Sequence, residues 1–159
     1  MSLIELTTVI AAPPERCFDL ARCVDIHVRS TAKTGERAVG GKTTGLLALG
    51  DTVTFRARHF GIVQELTSRI TALDRPTHFR DSMVRGAFRR LDHDHYFAPM
   101  GGGTEMRDVF DFDAPLGILG RLVDALVLER YMRGFLIARN AEIKAVAESD
   151  QWRSYLSAA

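Results

Sequence analysis

Five side chains in the middle of this 159-residue sequence have the types and spacing for acid–base or ligand chemistry: His59, Asp81, His93, His95 and Asp108. The densest group lies between Arg90 and Phe97, where histidine alternates with aspartate and tyrosine. Read as a β-strand, this segment puts Leu91, His93, His95 and Phe97 on one face and Asp92, Asp94 and Tyr96 on the other. Two imidazoles then sit between apolar residues on the face turned to the interior, where polar groups need partners.

The run Pro99-Met100-Gly101-Gly102-Gly103 is a hairpin signal. A turn near Met100 and Gly101 brings His93 opposite or diagonal to Asp108, with Asp81 one or two rungs away on the preceding strand. Three uses compete for such a cluster. The His and Asp side chains satisfy one another around a bound water; or they are the polar anchor of an apolar pocket; or His93 and Asp108 work as an acid–base pair on a bound carbonyl compound.

Metal binding is a separate question. The Cα atoms of His93 and His95 are about 6.6 Å apart in a strand, close enough to share an ion, with Asp108, Asp81 or His59 as a third ligand. No HExxH motif or cysteine cluster supports that use, and neither metal nor cofactor is expected. Gly41-Lys42-Thr43 fails as a phosphate-binding loop, because the required upstream glycine would fall on Glu36. Cys17 and Cys23 match neither a CxxC pair nor a zinc knuckle and are read as reduced thiols.

The elements that must position these residues are legible from periodicity. Leu3 to Ala11 alternates as a first strand, and Pro13 and Pro14 open a short helix over Glu15 to Ala21. A second short helix is expected around Val24 to Ser30, entered through Asp25. The glycine-rich stretch 34–49 reads as a strand and then a mobile loop. From Asp51 the pattern becomes a meander whose inward positions include Phe55, His59, Asp81, Met83, Asp108 and Phe110. Arginines fall mostly on outward positions. Pro115 ends the sheet, and a long helix with apolar spacing from Leu119 to Val146 follows. The last residues, from Ser149, read as a frayed tail, although Trp152 and Tyr155 have the character to dock.

Composition sets the outer bounds. A hydrophobic content of 46% and a charged content of 26% describe one globular domain, assigned to residues 1–148 with a tail at 149–159. The net charge of +1, from 21 basic and 20 acidic residues, offers no field for nucleic acid. No segment has the uninterrupted apolar length of a membrane span, and the first residues lack the pattern of a signal peptide. A cytoplasmic location is the default expectation.

Several segments together resemble one superfamily. They are Ile10 to Phe18 with its paired prolines, Gly50 to Phe55, Arg58 to Gly61, Ile70 to Pro76, His93-x-His95-x-Phe97, Gly102 to Met106 with Asp108, and Pro115 to Gly117. The chain is similar to members of the START/SRPBCC superfamily, which includes the birch-pollen-allergen fold and polyketide cyclase-like proteins, and most similar to bacterial stand-alone or epimerase-fused domains. The resemblance implies an α+β helix-grip fold: a curved seven-stranded antiparallel sheet wrapped around a long C-terminal helix, with two short helices between strands 1 and 2. It also implies a cavity for a small hydrophobic or amphipathic molecule such as a lipid, polyketide or aromatic metabolite. His93, His95, Asp108, Asp81 and His59 are then the candidate polar anchors, and Phe55, Met83, Phe110 and Leu122 the candidate walls. The alternatives are a cyclase- or dehydratase-like enzyme using a His–Asp pair, and an interaction module partnering an epimerase-like protein; the partners expected are a small hydrophobic ligand and either a second copy of the chain in a homodimer or that epimerase-like protein.

Overall fold

The computed structural model describes residues 1–113 and 125–157. The chain runs β1 (Ser2–Ile10), α1 (Pro14–Ala21), α2 (Val24–Ser30), a 3-10 turn (Ala32–Thr34) and β2 (Arg37–Gly41). Then follow β3 (Thr52–His59), β4 (Ile62–Asp74), β5 (His78–Arg85), β6 (Leu91–Met100) and β7 (Gly103–Phe112). A long helix, α3 (Ala125–Ala147), and a short one, α4 (Trp152–Leu156), are the last elements among the described residues. The seven strands form one antiparallel sheet in the order β1-β7-β6-β5-β4-β3-β2. This is the expected helix-grip architecture. Among the described residues, no helix is long and apolar enough to cross a membrane.

Local chemistry explains the elements near the site. Pro14 occupies the first turn of α1, where its missing N–H costs nothing. Gly101 and Gly102 both have positive φ, 54° and 82°, which a two-residue hairpin turn between β6 and β7 demands. That turn fixes the β6–β7 register along its whole length, from Met100↔Gly103 to Leu91↔Phe112. On β7 the buried positions alternate through Met106, Asp108, Phe110 and Phe112.

Three expectations are corrected. Asp25 does not cap α2; Cys23 takes that position, and Asp25 Oδ2 instead accepts from Gly45 N at 2.8 Å. The glycine-rich segment is accordingly pinned rather than free. Val24 N donates to Gly45 O, Leu47 N donates to Arg22 O, and Leu47 is buried. The segment after 148 is no frayed tail through residue 157. It folds as α4, with Trp152, Tyr155 and Leu156 packed on the core, and Arg16 stacks 4.2 Å above the Trp152 ring.

Among the described residues the core has two apolar halves. One joins α1 and α2 to Ile70, Phe79, Phe97, Met106, Ile143 and Val146. The other gathers Ile4, Leu91, Phe110, Phe112, Leu128 and Leu136. Every element that contributes to both halves changes to polar residues between them: Asp81 on β5, His93 and His95 on β6, Asp108 on β7, Thr8 on β1, Arg139 and Asn140 on α3. A polar belt therefore crosses the interior from sheet to helix.

Candidate functional site

The belt is built around Asp108, which has no exposed surface. Asp108 Oδ1 accepts from His93 Nε2 at 2.8 Å and from Arg139 Nη1 at 3.4 Å, and Oδ2 accepts from Asn140 Nδ2 at 2.6 Å. His95 Nδ1 lies 3.0 Å from Oδ1. Burial alone would raise the Asp108 pKa, but these donors outweigh it and hold the carboxyl well below the usual range. Arg139 Nη2 donates to Ala21 O at 3.0 Å, placing a cation at the C-terminal end of α1. Asn140 Nδ2 also reaches Thr8 Oγ1 at 3.2 Å. The belt thus ties α3 to α1, β1 and β7 at once.

Asp81 has a different setting. It accepts from His95 Nε2 at 2.9 Å, and its Oδ2 is 3.9 Å from His93 Nδ1, too far for a direct hydrogen bond. Burial pushes its pKa up, yet the bond from His95 and the charges around it prevail and lower it. Its side chain retains 24% of its surface, against 7% or less for His93, His95, Asp108 and Arg139. Asp81 is deep in the fold and lines the internal cavity, so that surface is its share of the cavity wall. His93 is pushed down to about 4, by burial first and then by the adjacent His95 ring, so it is neutral at pH 7. With Nε2 donating to Asp108, its Nδ1 carries the lone pair. The donor atoms of Asp81, His93 and His95 all lie within 4.8 Å of one another, close enough for the three to share a metal ion.

The cavity above this group has a volume of about 150 Å³ and lies between the sheet and α3. Among the described residues its walls are mainly apolar and include Phe55, Ile70, Phe79, Phe110, Leu128 and Leu136. His93, His95, Asp81 and Arg139 form a polar end. A second polar group lines the cavity near the β3–β4 turn. There His59 Nδ1 is 2.7 Å from the Tyr131 hydroxyl, and His27 bonds Glu36 while stacking on Phe55 at 4.1 Å. Burial lowers the His59 pKa and raises that of Tyr131.

The structure brings four predicted residues, His93, His95, Asp81 and Asp108, into one cluster and sets His59 apart with Tyr131. Phe55 and Phe110 line the cavity. Met83 packs against the second apolar half and is not among the lining residues. Leu122 lies outside the described residues. Arg139, Asn140 and Tyr131 were not predicted as site residues. The signal for Arg139 was present: it occupies an inward position of α3, in step with Leu128, Met132, Leu136 and Ile143.

A seven-stranded antiparallel sheet gripping a C-terminal helix, with a partly polar cavity between them, defines a START/SRPBCC-type protein. Residues 1–148 match the family described as Polyketide cyclase / dehydrase and lipid transport, and the chain belongs to it. Solved structures similar to it include TTHA0849 from Thermus thermophilus, at 18% identity and TM-score 0.69 over 92% of this chain and 99% of that one. A START superfamily protein from Mycobacterium smegmatis aligns at 13% identity and TM-score 0.67, over 92% and 97%. Ginseng major latex-like protein 151 from Panax ginseng aligns at 16% and 0.66, over 93% and 98%. These likenesses establish the fold. No curated protein matches the sequence.

Proposed function

We propose that the protein binds a small, mainly apolar molecule carrying one hydrogen-bond donor, with the donor directed at Asp81 and His93 and the rest against the apolar walls. The observation that carries this reading is the 3.9 Å gap between two acceptors, Asp81 Oδ2 and the unprotonated His93 Nδ1, at the polar end of an apolar cavity. Two acceptors facing one gap favour a donor between them. A cavity of about 150 Å³ suits a single ring or a short chain. The family's lipid-transport description is in keeping with an apolar cargo. A homodimer or an epimerase-like partner rests on the sequence resemblance alone.

An acid–base enzyme is the second reading, favoured by the way Asp108 orients the neutral His93 ring. Its weakness is magnitude. A base works best with a pKa near the working pH, and His93 at about 4 lies well below it. Binding without turnover is therefore the better reading.

The test is a calorimetric titration with phenol and toluene, which differ by one donor. Because a hydrogen bond to a charged acceptor contributes about 1.5–3 kcal/mol, phenol should bind about tenfold more tightly or better. Asp81→Asn should cut that preference severalfold. Saturable binding of neither probe, or equal binding of both by the wild type, would overturn the proposal.

A further inference from the structure

We propose that Asp81, His93 and His95 form a site for a divalent transition-metal ion at the polar end of the cavity. The donor set is two imidazoles and one carboxylate, with the remaining coordination positions open to the cavity. Imidazole with carboxylate suits zinc, iron, cobalt and nickel, and three protein ligands with open positions are the arrangement of reactive rather than purely structural sites.

Three observations carry the inference. First, the donors converge from adjacent strands: His93 and Asp81 are register partners across β5 and β6, and His95 follows two residues on, on the same face. Second, the spacing fits. Ligand atoms about 2.1 Å from a metal are about 3.0 Å apart when octahedral and about 3.4 Å when tetrahedral. Here His95 Nε2 is 2.9 Å and His93 Nδ1 3.9 Å from Asp81 Oδ2, and all three donors fall within 4.8 Å. Small side-chain rotations close the triangle. Third, the rings are supported from behind as metal-binding imidazoles are. A ligating histidine usually gives its other ring nitrogen to a carboxylate, which fixes the ring and raises its basicity. His93 does so in the structure, its Nε2 2.8 Å from Asp108 Oδ1; His95, whose Nε2 bonds Asp81 in the metal-free protein, has its Nδ1 3.0 Å from the same oxygen, so that its proton moves to that side when Nε2 takes the ion.

Charge agrees with the geometry. Asp81 and Asp108 bring two negative charges against the one positive charge of Arg139, so with neutral imidazoles the cluster carries −1. Arg139 touches Asp108, behind the rings, and makes no bond to Asp81 among the described residues. The inference does not require the apolar ligand proposed above. In metal-loaded protein the ion would occupy the gap between Asp81 and His93, and a ligand oxygen would meet the ion there.

The experiment uses the full chain, stripped with a chelator, dialysed free of it and titrated with Co(II) and Zn(II). The expected result is one ion per chain, a visible Co(II) spectrum without thiolate charge-transfer bands, and X-ray absorption at zinc that reports two imidazoles. Asp81→Asn and His95→Gln should each weaken binding at least tenfold, and Asp108→Asn by 10- to 100-fold through the rings it holds. His78→Gln, on the outer face, should bind as the wild type does. Because the buried variants could unfold, the wild type supplies an independent reading: its unfolding midpoint should rise steadily with the logarithm of free metal concentration. No ion retained, no rise in midpoint, thiolate bands, or equal binding by Asp81→Asn would each overturn the proposal. Phenol binding to the chelated protein is measured alongside, so that failure of the metal site and failure of the ligand reading give different results.

Discussion

His93 bonds Asp108, although its partners across the sheet are Phe110 on one side and Asp81 on the other. The residue facing Asp108 in the ladder is His95. Diagonal neighbours on one face are within reach of a long side chain, and His93 uses that reach to lean toward β7 while His95 leans toward β5. The two imidazoles cross, with ring centres 3.7 Å apart. Crossing gives the two carboxylates different tasks. Asp108 is enclosed, with both oxygens taken by donors. Asp81 keeps cavity-facing surface and a gap to His93.

This division predicts losses of different size for the same chemical change. Asp108→Asn replaces an acceptor of bonds from His93, Arg139 and Asn140 with a group that has one acceptor oxygen and a competing NH₂. It also leaves Arg139 with a reduced counter-charge. Removing one partner of a buried ionic network costs about 3–5 kcal/mol. Asp81→Asn keeps an acceptor for His95 Nε2 and opens onto the cavity, so its cost should be about 1 kcal/mol. Urea denaturation at pH 7 measures both. Equal losses would mean that Asp81 is as structural as Asp108.

The pH profile of stability follows from His93 in the metal-free protein. Its pKa is about 4 when folded, against about 6.5 in an unfolded chain. Between those values the unfolded state binds more protons than the folded state, so stability rises with pH across that window. Above pH 6.5 the His93 contribution is complete. As pH falls to 4 it is lost, at up to about 1.4 kcal/mol per pH unit and about 3 kcal/mol in all. Asp81 and Asp108, both held low, add their loss below that range. Denaturant midpoints measured from pH 7.5 to 4 in the presence of chelator check the slope, and a flat profile between 6.5 and 5 would exclude a buried neutral His93.

Strand alternation was enough to place His93, His95, Asp81 and Asp108 on one inward face, because a period of two leaves no freedom once Leu91 and Phe97 are buried. The glycine turn then set their register. Alternation carries no information on which diagonal a side chain takes, so the pairing of His93 with Asp108 and of His95 with Asp81 required coordinates. The helix side of the site was missed for another reason. Arg139 and Asn140 are polar, and polar residues on the second half of an amphipathic helix are ordinarily its solvent face. Their inward phase, in step with Leu136 and Ile143, was the contrary signal. His59 shows the limit of face reasoning: it is inward, as expected, but at the end of β3, where the partner is Tyr131 rather than the aspartates.

Space and stability can be separated at Ala57. It lies on β3, is nearly buried, and lines the cavity between Phe55 and His59. Ala57→Leu would project extra methyl groups into open volume rather than into a packed wall. Filling a void restores lost dispersion contacts and buries apolar surface, which commonly yields about 0.5–2 kcal/mol. Overpacking costs about 1–3 kcal/mol instead. Because the cavity of about 150 Å³ is open volume beside Ala57, the variant should match or exceed the wild type in urea midpoint while losing phenol binding by at least tenfold. Toluene binding should fall with it, because the loss is one of volume and not of the Asp81 acceptor. Metal binding, which uses only the polar end, should persist. A variant that is destabilised and still binds phenol would show that Ala57 faces packed side chains and that the ligand space lies elsewhere.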